Sequence, residues 1–486
     1  VRAILAGLGL DAPAPAFVRT LGRSRNAGLP VPNRPRGRLW SPGLPVLSIL
    51  LDARDAGPGD LERAATLLAA QSHPFWELCI AGSGRPAERR RLPADPRVRL
   101  AWPAPRTTMA AAISRAASLA TGTHVLIARS TAEAEAIADG LHAIVSRLVA
   151  EPSADVLLAP GPSGMRDLTD RIEAGGPEMR PVAFAREAFV AAGGLRGRFD
   201  EAAEYDLLLA LLASHARIAR CPLAEAPSRD PALPAADEAG RLALQAHLAA
   251  TAGPLAYAAP GLRPGTYRRR THPMRPAPMT VVHFAGFAIP PGTGARSVIT
   301  RSLADWSDGD FSTEYLVFLD DAIVRAAPDA FTALLDFAVE AGIGAVGGRV
   351  RHADGTLHHA GLALAADGGL HAPGHDTPDD EANGFAAAYV VHNPDGVGGV
   401  LATRRSVLLQ LGGFDRALRA SDGVTFDLLA ADFCLRAAEL GLRTTYTPFA
   451  VFDRVAALSG ERCGPRARTA AETLFAQRWQ SAQARA

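Results

Sequence analysis

The sequence predicts an α/β protein made of two related domains in tandem, the second abbreviated. Three observations carry that reading. From Val46 onward, short apolar runs alternate with segments of helical period. A phrase then recurs: Gly193-Gly194-Leu195, Phe199-Asp200 and Asp206-Leu207-Leu208 parallel Gly412-Gly413-Phe414-Asp415 and Asp432-Phe433-Cys434, each followed by a helix and a short strand ending near a proline, Pro222 or Pro448. Finally, 486 residues are enough for two to three domains with complete cores.

Taken in order, residues 1–45 are rich in Arg, Pro and Gly and read as an irregular lead-in with room for one short helix. The first domain, 46–225, opens with a strand at Leu47–Leu51, a helix at Leu61–Ala70 and a strand at Trp76–Ala81. A strand at Val98–Trp102, a helix at Met109–Ala120 and a strand at His124–Ala128 complete the βαβαβ pattern of a nucleotide-binding half-domain. Residues 226–278 hold a helix near Leu242–Ala252 and a proline-punctuated linker, THPMRPAP.

The second domain, 279–486, is organised around Glu314–Leu364. An apolar run, Tyr315–Leu319, stops at two carboxylates, Asp320 and Asp321, and so reads as a buried strand with acids at its carboxyl end, where open α/β sheets collect ligands. Pro328 suits a first helical turn, and Phe331, Leu334, Leu335 and Ala338 form a 3.6-period stripe. Ile343–Val346 is the next strand, followed by Gly347 and Gly348. A C-terminal helix at about Arg466–Ala482 offers Leu474, Phe475 and Trp479 for packing on this domain. The first domain uses 81 residues between Leu47 and Ile127, whereas the second uses 41 between Thr280 and Asp320. One βαβ unit takes about 30 residues, so roughly one unit is missing.

Composition excludes several chemistries. Apolar residues at 48% and charged residues at 21% describe a soluble globular protein, and the net charge of +1 gives no reason to expect nucleic acid as a partner. All 51 basic residues are Arg, which rules out a Walker-type lysine and a Lys Schiff base. The cysteines at 79, 221, 434 and 463 have no metal-binding spacing and read as buried free thiols. No apolar run reaches membrane-spanning length and the N-terminus shows no secretory pattern, so a cytoplasmic location is expected.

The run Val346-Gly347-Gly348-Arg349, then Asp354-Gly355-Thr356-Leu357-His358-His359-Ala360-Gly361, resembles the central part of family 2 glycosyltransferases, of the tandem-domain bacterial polysaccharide or O-antigen type. Ala70–Gly84, Asp95–Leu100, Leu119–Ala128, Gly193–Leu209 and the phrase PGTYR match the same pattern in order. The resemblance implies two GT-A-like domains and an inverting transfer of sugar from a nucleotide-sugar donor to a glycan, polysaccharide or lipid-linked acceptor, with peripheral membrane association compatible. Such chemistry needs a pocket for the nucleotide, a countercharge for the diphosphate, commonly Mn²⁺ or Mg²⁺ on an Asp-X-Asp pair, and a general base.

Carried onto this chain, the motifs are eroded in both copies. In the first domain Gly82-Ser83-Gly84-Arg85 stands where the family has Asp-Asp-Gly-Ser, and Arg129-Ser130-Thr131 stands at the Asp-X-Asp position. Arg129 either offsets phosphate charge without a metal or is a solvated surface residue. Glu204-Tyr205-Asp206 resembles the base motif, which makes Glu204 a candidate base or a surface acid at a helix start, with Asp206 on the acceptor side or in the framework. In the second domain Asp320 and Asp321 are the donor-binding candidates and Asp321 the metal ligand, while Ala322 replaces the family's last Asp. Ala430 stands at the base position, leaving Asp427 as the other candidate base and Asp432 as framework. His358 and His359 match the family phrase but are not a metal pair by spacing, and read as packing and loop hydrogen bonds. Pro290-Pro291-Gly292-Thr293-Gly294 is a turn or a phosphate loop. A catalytically silent relative, serving as scaffold or glycan-binding partner, is the alternative that these losses support.

Overall fold

The alternation that begins at Val46 becomes, in a computed structural model, a seven-stranded mixed sheet. Its strands are β1 (Leu47–Ala53), β2 (Trp76–Gly82), β3 (Val98–Ala101), β4 (His124–Ala128), β5 (Val156–Leu158), β6 (Pro181–Ala185) and β7 (Ile218–Arg220), in the order β3-β2-β1-β4-β6-β5-β7. The structure describes residues 44–57, 59–71, 73–82, 92, 94–101, 107–159, 168–175, 181–221, 234–271, 278–283, 295–300, 311–380, 385–455 and 469–483. The lead-in 1–43, Ser83–Arg85, linker residues 272–277, the loop Pro290–Gly294 and Cys463 lie outside the described residues.

β1 is buried along its whole length because both faces of a parallel strand are covered. The helix Asp60–Ala70 covers it through Leu61, Ala64, Ala65 and Leu68, the i, i+3, i+4, i+7 stripe. One buried acid, Glu77 on β2, accepts from Ser48 Oγ at 2.7 Å and from the backbone of Thr121 at 2.5 Å and Gly122 at 3.1 Å. Gly122 is required there, since a Cβ would sit 2.5 Å from both Ser48 Oγ and the Val46 carbonyl.

The chain divides into two compact units: Val1–Gly161 with Gly175–Thr251, and Pro162–Ala174 with Ala252–Ala486. The second holds β8 (Ala256–Pro260), β9 (Tyr267–Thr271), β10 (Met279–His283), β11 (Ala295–Thr300), β12 (Tyr315–Leu319), β13 (Ile323–Ala326) and β14 (Ile343–Arg351). It continues with β15 (Leu357–His359), β16 (Ala363–Leu364), β17 (Leu370–His371), β18 (Val400–Arg404) and β19 (Arg443–Arg454). The main sheet runs β11-β10-β12-β18-β14-β19-β13, with β15 paired to β14. From β11 to β19 this repeats the first sheet from β2 to β7, including the strand antiparallel to its neighbours, β6 in one and β18 in the other. Among the described residues no counterpart of β3 is present, in line with the shorter count.

Three local expectations change. Residues 256–271 form the hairpin β8–β9 rather than linker, because the arginines of β9 find buried acids: Arg268 pairs with Asp336 at 2.9 Å and Arg269 with Glu173 at 3.3 Å. The helix Thr169–Glu173, which the sequence reading leaves in the first domain, belongs to the second unit. Its fully buried Asp170 accepts from Thr445 Oγ1 at 2.5 Å and Asn393 Nδ2 at 2.7 Å. In the C-terminal helix, Ala470–Gln483, Phe475 and Trp479 enter the core with Ala471, but Leu474 is exposed. Cys79, Cys221 and Cys434 are buried free thiols. Among the described residues no helix is long and apolar enough to cross a membrane.

Candidate functional site

The residues with unspent chemistry gather in the second unit, where the parallel strands β10 and β12 end. Asp320 is fixed there by its own backbone: its N–H donates to the Gly399 carbonyl at 2.8 Å, and its Oδ1 accepts from the Ala322 N–H at 2.8 Å. Asp427 arrives from the first turn of the helix Phe426–Glu439, which Thr425 caps by accepting from the Leu428 N–H. Asp427 Oδ1 accepts from the Gly399 N–H at 2.7 Å, so one glycine ties both acids down.

His358 and His359 arrive on β15. Successive strand residues face opposite ways, yet β15 is only three residues long and the two rings lie 5.0 Å apart. His358 Nε2 is 3.8 Å from Asp427 Oδ2, and Arg454 Nη1 donates to it at 2.6 Å. His359 is 1% exposed, and neither of its ring nitrogens has a hydrogen-bond partner. A Cβ on Gly398 would lie 2.5 Å from Asp427 Oδ1 and 3.0 Å from His359 Nε2, so glycine keeps open the space that both side chains line.

The electrostatics are uneven. Burial pushes Asp320 up to about 7, and the charges of Asp427 and Asp321 add to this against the Ala322 N–H and Arg454. Burial also opposes the charge of Asp427, but the neighbouring His358 and His359 and the Gly399 N–H outweigh it and hold that carboxyl well below its usual range. Burial pushes His359 down to about 3, which leaves a neutral imidazole. Two acids beside the neutral His359 leave a place for added positive charge. One nitrogen from each of His358 and His359 and a carboxylate oxygen of Asp427 lie within 4.8 Å of one another, a set with the chemistry to hold a divalent cation. The two unpartnered nitrogens of His359 fit that use. Asp321, the ligand suggested by sequence, is exposed in the turn and belongs to neither convergent ligand group among the described residues.

The corresponding place in the first unit is occupied by protein. Arg129 follows β4 and is not solvated: its Nε donates to Glu204 Oε1 at 2.5 Å, and both side chains are largely buried. Glu204 is therefore neither a surface acid nor a free base. Asp206 pairs with Arg196 Nε at 2.6 Å, and Asp432 accepts from Arg436 at 2.7 Å, Arg478 at 3.0 Å and the Trp479 ring N–H at 3.1 Å. Both are buried framework groups with their charge matched. Sequence reasoning missed His352, His375 and Arg454, which stand beside His358. Only the density of histidines after Arg351 hinted at them.

No protein-family model matches the chain. A curated relative, "Uncharacterized protein y4gI" of Sinorhizobium fredii (strain NBRC 101917 / NGR234), is 24% identical over 490 residues, covering 84% of this chain and 52% of that protein. The chain thus spans about half the length of the curated relative it matches. Among solved structures, it is similar to the mannosyltransferase PcManGT from Pyrobaculum calidifontis, in complex with GDP-Man and Mn²⁺, at TM-score 0.32 and 19% identity over 52% of this chain and 74% of that one. It is also similar to S. aureus TarS, at TM-score 0.29 and 14% identity over 42% of this chain and 40% of that one. At these values the similarities assign no activity.

Proposed function

We propose that the chain is a glycosyltransferase of the tandem GT-A type that its sequence resembles, with donor chemistry confined to the second unit and the first unit a silent copy. One observation carries this: Gly399 ties Asp320 and Asp427 together at the end of β12 beside the neutral His359, whereas the matching place after β4 is filled by the Arg129–Glu204 pair. An acid pair wanting countercharge at that position suits a nucleotide diphosphate carried with a cation. His358, His359 and Asp427 would hold Mn²⁺ or a similar ion, which supplies charge for the leaving diphosphate.

The two acids are suited to different tasks, as happens when environments push two carboxyls apart. Asp427 stays ionised and is a poor proton acceptor, which argues against the base role first given to it. Asp320 is the stronger base, and it lies close enough to Asp427 to feel its charge. In an inverting transfer, the acceptor hydroxyl oxygen bonds to the anomeric carbon as the bond to the donor diphosphate breaks. The diphosphate leaves with the electron pair, and Asp320 takes the hydroxyl proton.

The test is release of nucleoside diphosphate from a panel of UDP-, GDP- and dTDP-sugars with Mn²⁺ and glycan acceptors. Asp320→Asn lowers turnover by about 100-fold or more, the usual worth of a general base, while Glu204→Gln leaves it within about twofold. Turnover that falls with Glu204→Gln and survives Asp320→Asn overturns the assignment. Purified folded protein that never turns over any donor favours the scaffold alternative for both units.

A further inference from the structure

Next to the carboxylate pair stands a second cluster, which shares His358 with the first and so also meets Arg454 Nη1. His352 follows β14, His358 lies on β15, and His375 and Asp376 lie in the segment after β17. The rings of the three histidines are 4.9, 5.3 and 5.6 Å apart, and one nitrogen from each lies within 4.8 Å of the other two. A single oxygen, Asp376 Oδ1, is 3.5 Å from His352 Nε2 and 3.4 Å from His375 Nε2. Ligand atoms about 2.0–2.1 Å from a tetrahedral ion are about 3.3–3.4 Å apart, so these separations match two edges of a zinc-type site.

The surroundings fix the donors. His375 Nδ1 donates to the His358 carbonyl at 2.6 Å, which leaves the Nε2 lone pair turned toward Asp376, the usual outer-shell arrangement of a metal-bound histidine. His352 Nε2 is buried and makes no hydrogen bond. The backbone holds both sides: Leu357 N–H donates to the Thr377 carbonyl and Asp376 N–H to the Leu357 carbonyl, each at 2.9 Å. Asp376 takes φ of +59°, a left-handed conformation rare outside glycine, and thereby carries its carboxylate to the two imidazoles.

We propose that His352, His358, His375 and Asp376 form a site for a Zn²⁺-class transition-metal ion that clamps the 371–380 segment to β15 and adjoins the donor's cation through His358. Imidazole-rich donors select such ions over Mg²⁺ or Ca²⁺. The assignment does not depend on the glycosyltransferase reading, because no nucleotide sugar enters its test.

The chain, stripped with a chelator, is titrated with Co²⁺ alone and followed by visible absorption, with metal content and melting temperature measured alongside. The expected result is one equivalent of four-coordinate Co²⁺, displaced by Zn²⁺, with a rise in melting temperature. His352→Ala and His375→Ala abolish the absorption, and Asp427→Asn leaves it. Near-ultraviolet circular dichroism shows whether the histidine variants are folded. If they are not, the exposed Asp376→Asn decides, with an expected loss of affinity of about tenfold or more. No Co²⁺ absorption, absorption unchanged in the folded histidine variants or in Asp376→Asn, or absorption lost only with Asp427→Asn overturns the site.

Discussion

After β4 the chain places Arg129, and after β12, which holds the same place in the strand order, it places Asp320. The first residue is neutralised by Glu204 from within its own unit, while the second faces another acid and lacks a matched countercharge. On the proposed reading, the first unit is a copy whose site is closed by an internal ion pair. A buried acid left without its ligand is costly, and replacing the facing acid by Arg substitutes an internal ion pair for an external one. A copy that still needs a ligand keeps its acids at odds.

The largest stability effect compares the framework acids. Asp432→Ala leaves the Arg436 charge without its carboxylate and the Trp479 N–H without its acceptor in the interior, and costs about 3–5 kcal/mol. Asp206→Ala costs about 1–2 kcal/mol, because Arg196 is 53% exposed and regains water. Denaturant unfolding of the two variants checks this, and equal losses break the asymmetry.

Next, Arg129→Met removes the cation facing the buried Glu204 and destabilises the first unit by about 2–3 kcal/mol, and Arg129→Met with Glu204→Leu recovers most of it. Donor affinity is unchanged in both. A double variant no better than the single one means that the pair does more than neutralise itself.

Acid affects the two units alike. Burial holds His73 in the first unit and His392 in the second at about 4, below the ordinary imidazole value of about 6.5. Both are neutral in the folded state, so the stability they preserve is complete above pH 6.5 and is lost as pH falls toward 4. At pH 5 the loss is roughly 2 kcal/mol for each. Unfolding measured between pH 7 and 4 should weaken both units across that window, and a second unit indifferent to it contradicts the burial of His392.

What was legible in the sequence is what short-range periodicity encodes. The Leu61-Ala64-Ala65-Leu68 stripe and the β12 run stopping at Asp320 both follow from local pattern. The candidate site is long-range. Glu204 lies 75 residues from Arg129, and Asp170 reaches Thr445 across 275, so no window holds both partners. His358 and His359 read by their spacing as packing and loop residues, yet on the short β15 their rings lie 5.0 Å apart. The Arg-rich β9 looked like linker because the acids that pair with it, Glu173 and Asp336, come from elsewhere in the chain.

The most direct measurement of the central claim is calorimetric titration of the folded chain with UDP-, GDP- and dTDP-sugars, with and without Mn²⁺. The account predicts Mn²⁺-dependent binding of one donor class, one site per chain, weakened about tenfold or more by Asp427→Asn and unaffected by Glu204→Gln. Binding that survives Asp427→Asn and is lost with Glu204→Gln would contradict it.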